Sequence, residues 1–203
     1  MTKLQSAFSG GELLTHQFES GDSRAISLTR NFVAVAFGEK RYKTWDEFSH
    51  EVERAKSAAE SEYQPAYYSR IGLRYKDVIV RTSIHLDEVP WRDLIRPDLL
   101  GALADNEIEP QIKGIRSEVL LNIEDVPNGA AKLVHGLIDK KLADGRTEIA
   151  YLLDIDFYIE GTVAGDDVRG ILDRFNRHAG NFFRWAVSPR LAAALGPIAV
   201  QLG

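Results

Sequence analysis

Thr147-Glu-Ile-Ala-Tyr-Leu-Leu-Asp-Ile-Asp-Phe-Tyr-Ile159 follows the Asp144-Gly145 pair after a single residue, Arg146. Asp-Gly supplies the left-handed backbone that a reversal needs, and the run after it is rich in branched and aromatic side chains. The stretch therefore predicts a strand that folds back on its predecessor, residues 131–138. The gap between Ile138 and Asp144 leaves room for a longer hairpin or a bulge. Upstream, residues 112–123 predict a third strand with Ile115, Val119, Leu121 and Ile123 on one side. Strands in succession, with no helix between them, predict an antiparallel sheet.

Working outward, a long amphipathic helix starts at Asp166 or Asp167, with Val168, Ile171, Leu172, Phe175, Phe182 and Phe183 as its apolar side. Ser188-Pro189 interrupts it, and a short helix follows over 190–195. On the N-terminal side, residues 66–83 alternate. Ser69, Ile71, Leu73 and Tyr75 face one way, and Arg70, Gly72 and Arg74 face the other. Pro90 and Pro97 each open a short helical piece. Thr44-Trp-Asp-Glu47 has the spacing of a capping box, so a helix runs from there to near Glu62, before Pro65. Strands are expected over 13–19, 25–28 and 32–37. The last is wholly apolar and so expected to be covered on both faces. Residues 1–10 predict only a weak lead-in, with Ser9-Gly-Gly11 flexible. The apolar tail from Leu195 is expected to dock on the body or on a partner.

The fold class is α+β, with antiparallel sheets and one long helix per half. The halves are two related lobes, 1–106 and 107–203, with residues 107–111 as the boundary, or one domain sharing a core. A chain of 203 residues with 44% apolar and 27% charged residues has the ordinary globular mix. Its net charge of −5 argues against broad binding to phosphate backbones. The absence of cysteine excludes disulfides, thiolate metal sites and a cysteine nucleophile, and fits the cytoplasm. No run is long and apolar enough to span a bilayer. No nucleotide, hydrolase or metalloprotease motif is present, so no cofactor is expected.

Four residues could carry chemistry. Asp154 and Asp156 share a strand face, and paired carboxylates suit a hard cation, with Glu118 or Glu160 as a third acid. They are the candidate catalytic pair of a metal-dependent phosphoesterase or nuclease. Arg70 and Arg74 flank Gly72 on one face and could grip phosphate, or neutralise Asp154 and Asp156 on a neighbouring strand. Tyr75, with Tyr63, Tyr67 and Tyr68, interleaves with these arginines, as in surfaces that stack single-stranded nucleic acid. The same composition also suits a packed strand. The five histidines form no ligand group; Arg174 and His178 share a helix face that is expected to be solvated.

Ser69-Arg-Ile-Gly-Leu-Arg-Tyr75 resembles the central motif of a sporadically distributed, uncharacterised bacterial protein family. The region from Asn31 through Tyr42-Lys-Thr-Trp-Asp-Glu-Phe48 looks like its preceding strand and helix. Leu152-Leu-Asp-Ile-Asp-Phe157 and the helix to Trp185 look like its closing section. The resemblance implies no named activity. It implies an accessory gene of the mobile or defence kind, in a family whose members carry an extra N-terminal segment. The expected function is therefore a non-enzymatic macromolecule-binding protein, an antitoxin-like or immunity-like subunit with a protein partner or as a homo-oligomer. The alternatives are the phosphoesterase and the single-strand binder.

Overall fold

A computed structural model of the chain describes residues 3–7, 15–19, 21, 23–29, 31–39 and 41–196. It divides into two compact units, residues 1–67 and 68–203.

The first unit holds four antiparallel strands in sequence order: β1 (Lys3–Ala7), β2 (Thr15–Glu19), β3 (Arg24–Leu28) and β4 (Val33–Phe37). The lead-in expected over 1–10 is in part a strand. β1 has weak β propensity and is recruited by pairing with β2, from Lys3 opposite Glu19 to Ala7 opposite Thr15. Ser9-Gly-Gly11, Leu13 and the tail beyond residue 196 lie outside the described residues. Helix α1 (Trp45–Tyr63) starts where the capping box places it, and the Thr44 hydroxyl accepts from the Glu47 N–H at 3.3 Å. It ends as Gln64 turns left-handed and donates its N–H to the Glu60 carbonyl. Phe48 of α1 meets Phe37 of β4 edge to face at 5.1 Å. Phe37 and its same-face neighbours Val33 and Val35 are half-buried, while Ala34 and Ala36 are exposed. β4 is thus covered on one face, not two, and alanine leaves little apolar area on the other.

The second unit is a four-stranded antiparallel sheet in the order β5-β8-β7-β6. Its strands are β5 (Tyr68–Ile79), β6 (Arg116–Ile123), β7 (Gly129–Lys141) and β8 (Thr147–Val163). The molecule is α+β. Segment 107–111 lies inside this unit, because β5 before it pairs along its length with β8 after it. The β7–β8 ladder runs to Lys141 opposite Thr147, with residues 142–146 as the loop.

Helix α3 (Val168–Ala186) covers one face of the sheet. Phe175 stacks on Phe157 at 5.8 Å, and Ile71, Leu73, Ile155, Ile171 and Leu172 are buried with them. The irregular segment between β5 and β6, which includes α2 (Pro97–Leu100), covers the rest of that face. The Tyr151 hydroxyl donates to the Leu99 carbonyl at 3.2 Å, so it must accept from His135 Nδ1 at 2.9 Å, which fixes the proton on that nitrogen. Burial holds the His135 ring below, and the Tyr151 phenol above, their ordinary titration ranges. The end of α3 is laced to the same segment, with the Arg96 N–H on the Ala186 carbonyl and the Ser188 N–H on the Leu94 carbonyl, both at 2.8 Å. Ser188 also caps α4 (Pro189–Leu195). Among the described residues, no helix is long and apolar enough to cross a membrane.

Candidate functional site

The face of β5 and β8 turned away from α3 carries all four candidate residues. Side chains alternate across the sheet, so the even-numbered positions of both strands share this face. Arg70 lies opposite Glu160, Gly72 opposite Tyr158, Arg74 opposite Asp156 and Lys76 opposite Asp154. The arginines make their hydrogen bonds elsewhere than to the residues directly opposite them, although Arg70 also stays within ion-pair range of Glu160. Each reaches along β8 to an acid further down the ladder. Arg74 clasps Asp154 with two bonds, Nε to Oδ1 at 2.7 Å and Nη2 to Oδ2 at 2.6 Å. Arg70 donates Nη2 to Asp156 Oδ2 at 2.9 Å and lies 3.7 Å from Glu160.

Gly72 is what lets Arg70 make that reach. A Cβ there would meet Arg70 Nη1 at 2.8 Å, so the guanidinium occupies the space a side chain would fill. Its carbon also sits 4.9 Å from the centre of the Tyr158 ring, opposite the glycine. The Arg-Ile-Gly-Leu-Arg string therefore has a local physical logic. One arginine crosses the glycine to an aromatic ring and an acid, and the other forks onto a second acid.

The exposures of the two partners differ sharply. The Asp154 side chain is 10% exposed and the Arg74 side chain 61%. A buried carboxylate is costly without a cation, and the bidentate fork supplies one. In return, the hydrogen bonds and charge of Asp154 hold the Arg74 guanidinium above its ordinary range. Arg74→Ala is expected to destabilise the fold by about 1–2 kcal/mol, less than a fully buried pair because the guanidinium faces water. Urea titrations of Arg74→Ala, Asp154→Asn and the double variant check this. The double-variant cost should fall short of the sum.

Of the two further acids, Glu160 meets the site through Arg70, and Glu118 stays apart. Glu118 is on β6, separated from β8 by β7, and is held by Lys132 at 2.8 Å. Among the described residues, no three His, Asp or Glu side chains gather in a way that would hold a metal ion. A cavity of about 250 Å³ lies elsewhere in the unit, lined by Arg81, Thr82, Asp87, Leu142, Arg146, Thr147 and Glu148, and none of the four candidates borders it. Tyr75 points to the other face of β5, where its hydroxyl donates to Asn176 of α3 at 2.8 Å. It thus sits across the sheet from Arg70 and Arg74.

A second polar cluster joins α3 to the β6–β7 turn. Asp125, in the turn between β6 and β7, accepts from Arg177 Nη2 at 2.7 Å and meets His178 Nε2 at 2.5 Å. His178 and then Arg177 hold the Asp125 carboxyl below the usual carboxylate range. The face of α3 bearing His178, expected to be only solvated, is tied to the β6–β7 turn. The adjacent acids Glu124 and Asp125 were the available signal, but only the tertiary fold brings them to the helix.

No family model, curated protein or solved structure matches the chain.

Proposed function

We propose that the chain is a non-enzymatic protein-binding subunit whose contact surface is the free edge of β6. The observation that carries this reading is apolar exposure on an unpaired strand. β6 ends the sheet, and on it Val119 is 37%, Leu120 68% and Leu121 36% exposed. Solvated edges ordinarily carry charge, proline or a bulge that blocks further pairing. The opposite edge, β5, carries Arg70, Arg74 and Lys76, whereas the middle of β6 is Val-Leu-Leu. The ion-pair ladder supports the same reading from the other side. A phosphoesterase or a single-strand binder would need Arg70, Arg74, Asp154 and Asp156 free for ligand, and they hold one another. The narrower role of an antitoxin-like or immunity-like subunit rests on the family resemblance alone.

The test is retention of a stoichiometric partner by tagged wild type and by Leu120→Lys in the native cells, sized by light scattering. A partner, whether another protein or a further copy of the chain, should be held by wild type and lost by the variant. No partner, or one held equally by both, would overturn the reading.

A further inference from the structure

We infer that β6 pairs antiparallel with β6 of a second copy, about a two-fold axis passing through Leu120. This rests on β6 being the contact surface and names its occupant.

The backbone restricts the possible registers. The Ile115 carbonyl accepts from the Leu137 N–H of β7 at 3.0 Å, so the odd-numbered residues of β6 turn their backbone groups inward. Backbone direction alternates along a strand, so 116, 118, 120 and 122 present theirs to the free side. Two copies can bond only if outward residues oppose outward residues. The two-fold axis must then fall on a residue, not between two.

Charge selects among the remaining registers. With the axis at Glu118, that carboxylate would oppose its own copy. With the axis at Leu121, Glu118 would oppose Glu124 of the second copy. With the axis at Val119, Arg116 would oppose Asn122, and Glu118 would oppose Leu120. With the axis at Ser117, Arg116 would oppose Glu118, already held by Lys132, and Leu121 would oppose Lys113. The axis at Leu120 sets Glu118 opposite Asn122 and Val119 opposite Leu121, and brings Arg116 to Glu124, the first residue of the turn that follows β6. The most exposed leucine then sits against its own copy, where it loses the most water-exposed apolar area. Arg116 and Glu124 are both exposed and have no ion-pair partner among the described residues. The two-fold would supply one to each, twice.

The test uses the intact chain. Sedimentation should show wild type as a concentration-dependent dimer and Leu120→Lys as a monomer with unchanged circular dichroism. Arg116→Glu should weaken the dimer roughly tenfold, and the added change Glu124→Arg should restore it. These two positions are solvent-exposed, so the swap remains readable if the leucine variant unfolds. The chain has no cysteine, so a single one reports the register. Directly opposed, hydrogen-bonded residues lie about 5.5 Å apart at Cα, which a disulfide spans. Leu120→Cys should therefore oxidise to a covalent dimer, and Asn122→Cys should not. Wild type that stays monomeric up to about 0.1 mM overturns the inference. So does a dimer that survives Leu120→Lys, or one in which Leu120→Cys fails to cross-link. A monomer that binds a different protein through β6 overturns this inference alone; a monomer with no partner overturns the reading beneath it as well.

Discussion

Gly136→Ala is expected to cost at least about 3 kcal/mol, as much as emptying a core position. Gly136 lies in β7 with φ of +140°, where a Cβ is strained, and its neighbours are backbone atoms that cannot give way. A methyl group there would stand 2.0 Å from the Ile115 carbonyl oxygen, 2.8 Å from its carbon and 3.0 Å from Arg116 Cα. That same oxygen accepts the Leu137 N–H at 3.0 Å, so the clash breaks the bond at the start of the β6–β7 ladder. Gly161 separates strain from collision. It has φ of +134°, yet a Cβ there meets nothing within 4 Å. Gly161→Ala should cost only about 1 kcal/mol, the penalty of the backbone conformation alone. Urea denaturation of the two variants against wild type reads the difference directly. Equal costs would show that the close approach of Ile115 is relieved by a small shift of β6.

Gly136 also shows where sequence reading runs out. Local patterns place most elements. The Thr44–Glu47 spacing fixes the start of α1, alternation fixes the two faces of β5, and Asp144-Gly145 fixes the β7–β8 reversal. Each is set by residues within a few positions of one another. What depends on distant partners is not legible in this way. β1 has no strong strand signal and exists through its pairing with β2. β4 is apolar throughout and suggests burial on both faces, yet exposes its alanines. The alternation of β6 predicts a strand with one apolar side, and only the strand order puts it at an edge. The candidate site divides along the same line. Strand periodicity brings Arg70 with Arg74 and Asp154 with Asp156, and charge suggests that the pairs meet. The register does not follow from the sequence, nor does the diagonal reach in which Arg74 passes Asp156 to fork on Asp154. Segment 107–111 has the composition of a linker, but β5 and β8 pair across it, a connection of long sequence separation that local composition does not encode.

Asp77→Asn is expected to stabilise the protein by about 2–3 kcal/mol at pH 7–8. Asp77 lies on the core side of β5, opposite the buried Leu153 and between Tyr75 and Ile79 on its face. Its carboxylate has no hydrogen bond or ion pair among the described residues. Burial, and then the negative charge of Asp154, pushes its pKa from 3.8 up to about 6. The folded form then binds the proton more tightly than the unfolded one. The contribution of Asp77 is most favourable below pH 3.8 and is lost as pH rises through about 6. Above that, the fold holds a poorly solvated anion, which the amide removes. The gain from Asp77→Asn should therefore be near zero at about pH 4, grow between about pH 4 and 6, and level off. His135 acts in the opposite sense, because its depressed pKa removes stability as pH falls below 6.5. That loss is common to both proteins and cancels in the difference, so thermal melts of the two across this range isolate Asp77. A variant less stable than wild type at pH 7 would mean that the ionised carboxylate has a partner in solution. The effect also links the two faces of the sheet. Asp154 raises Asp77 through its charge, and Arg74 is the cation bonded to Asp154. Arg74→Ala should therefore move the Asp77 transition to higher pH, whereas a change at Arg70, which bonds Asp156, should leave it in place.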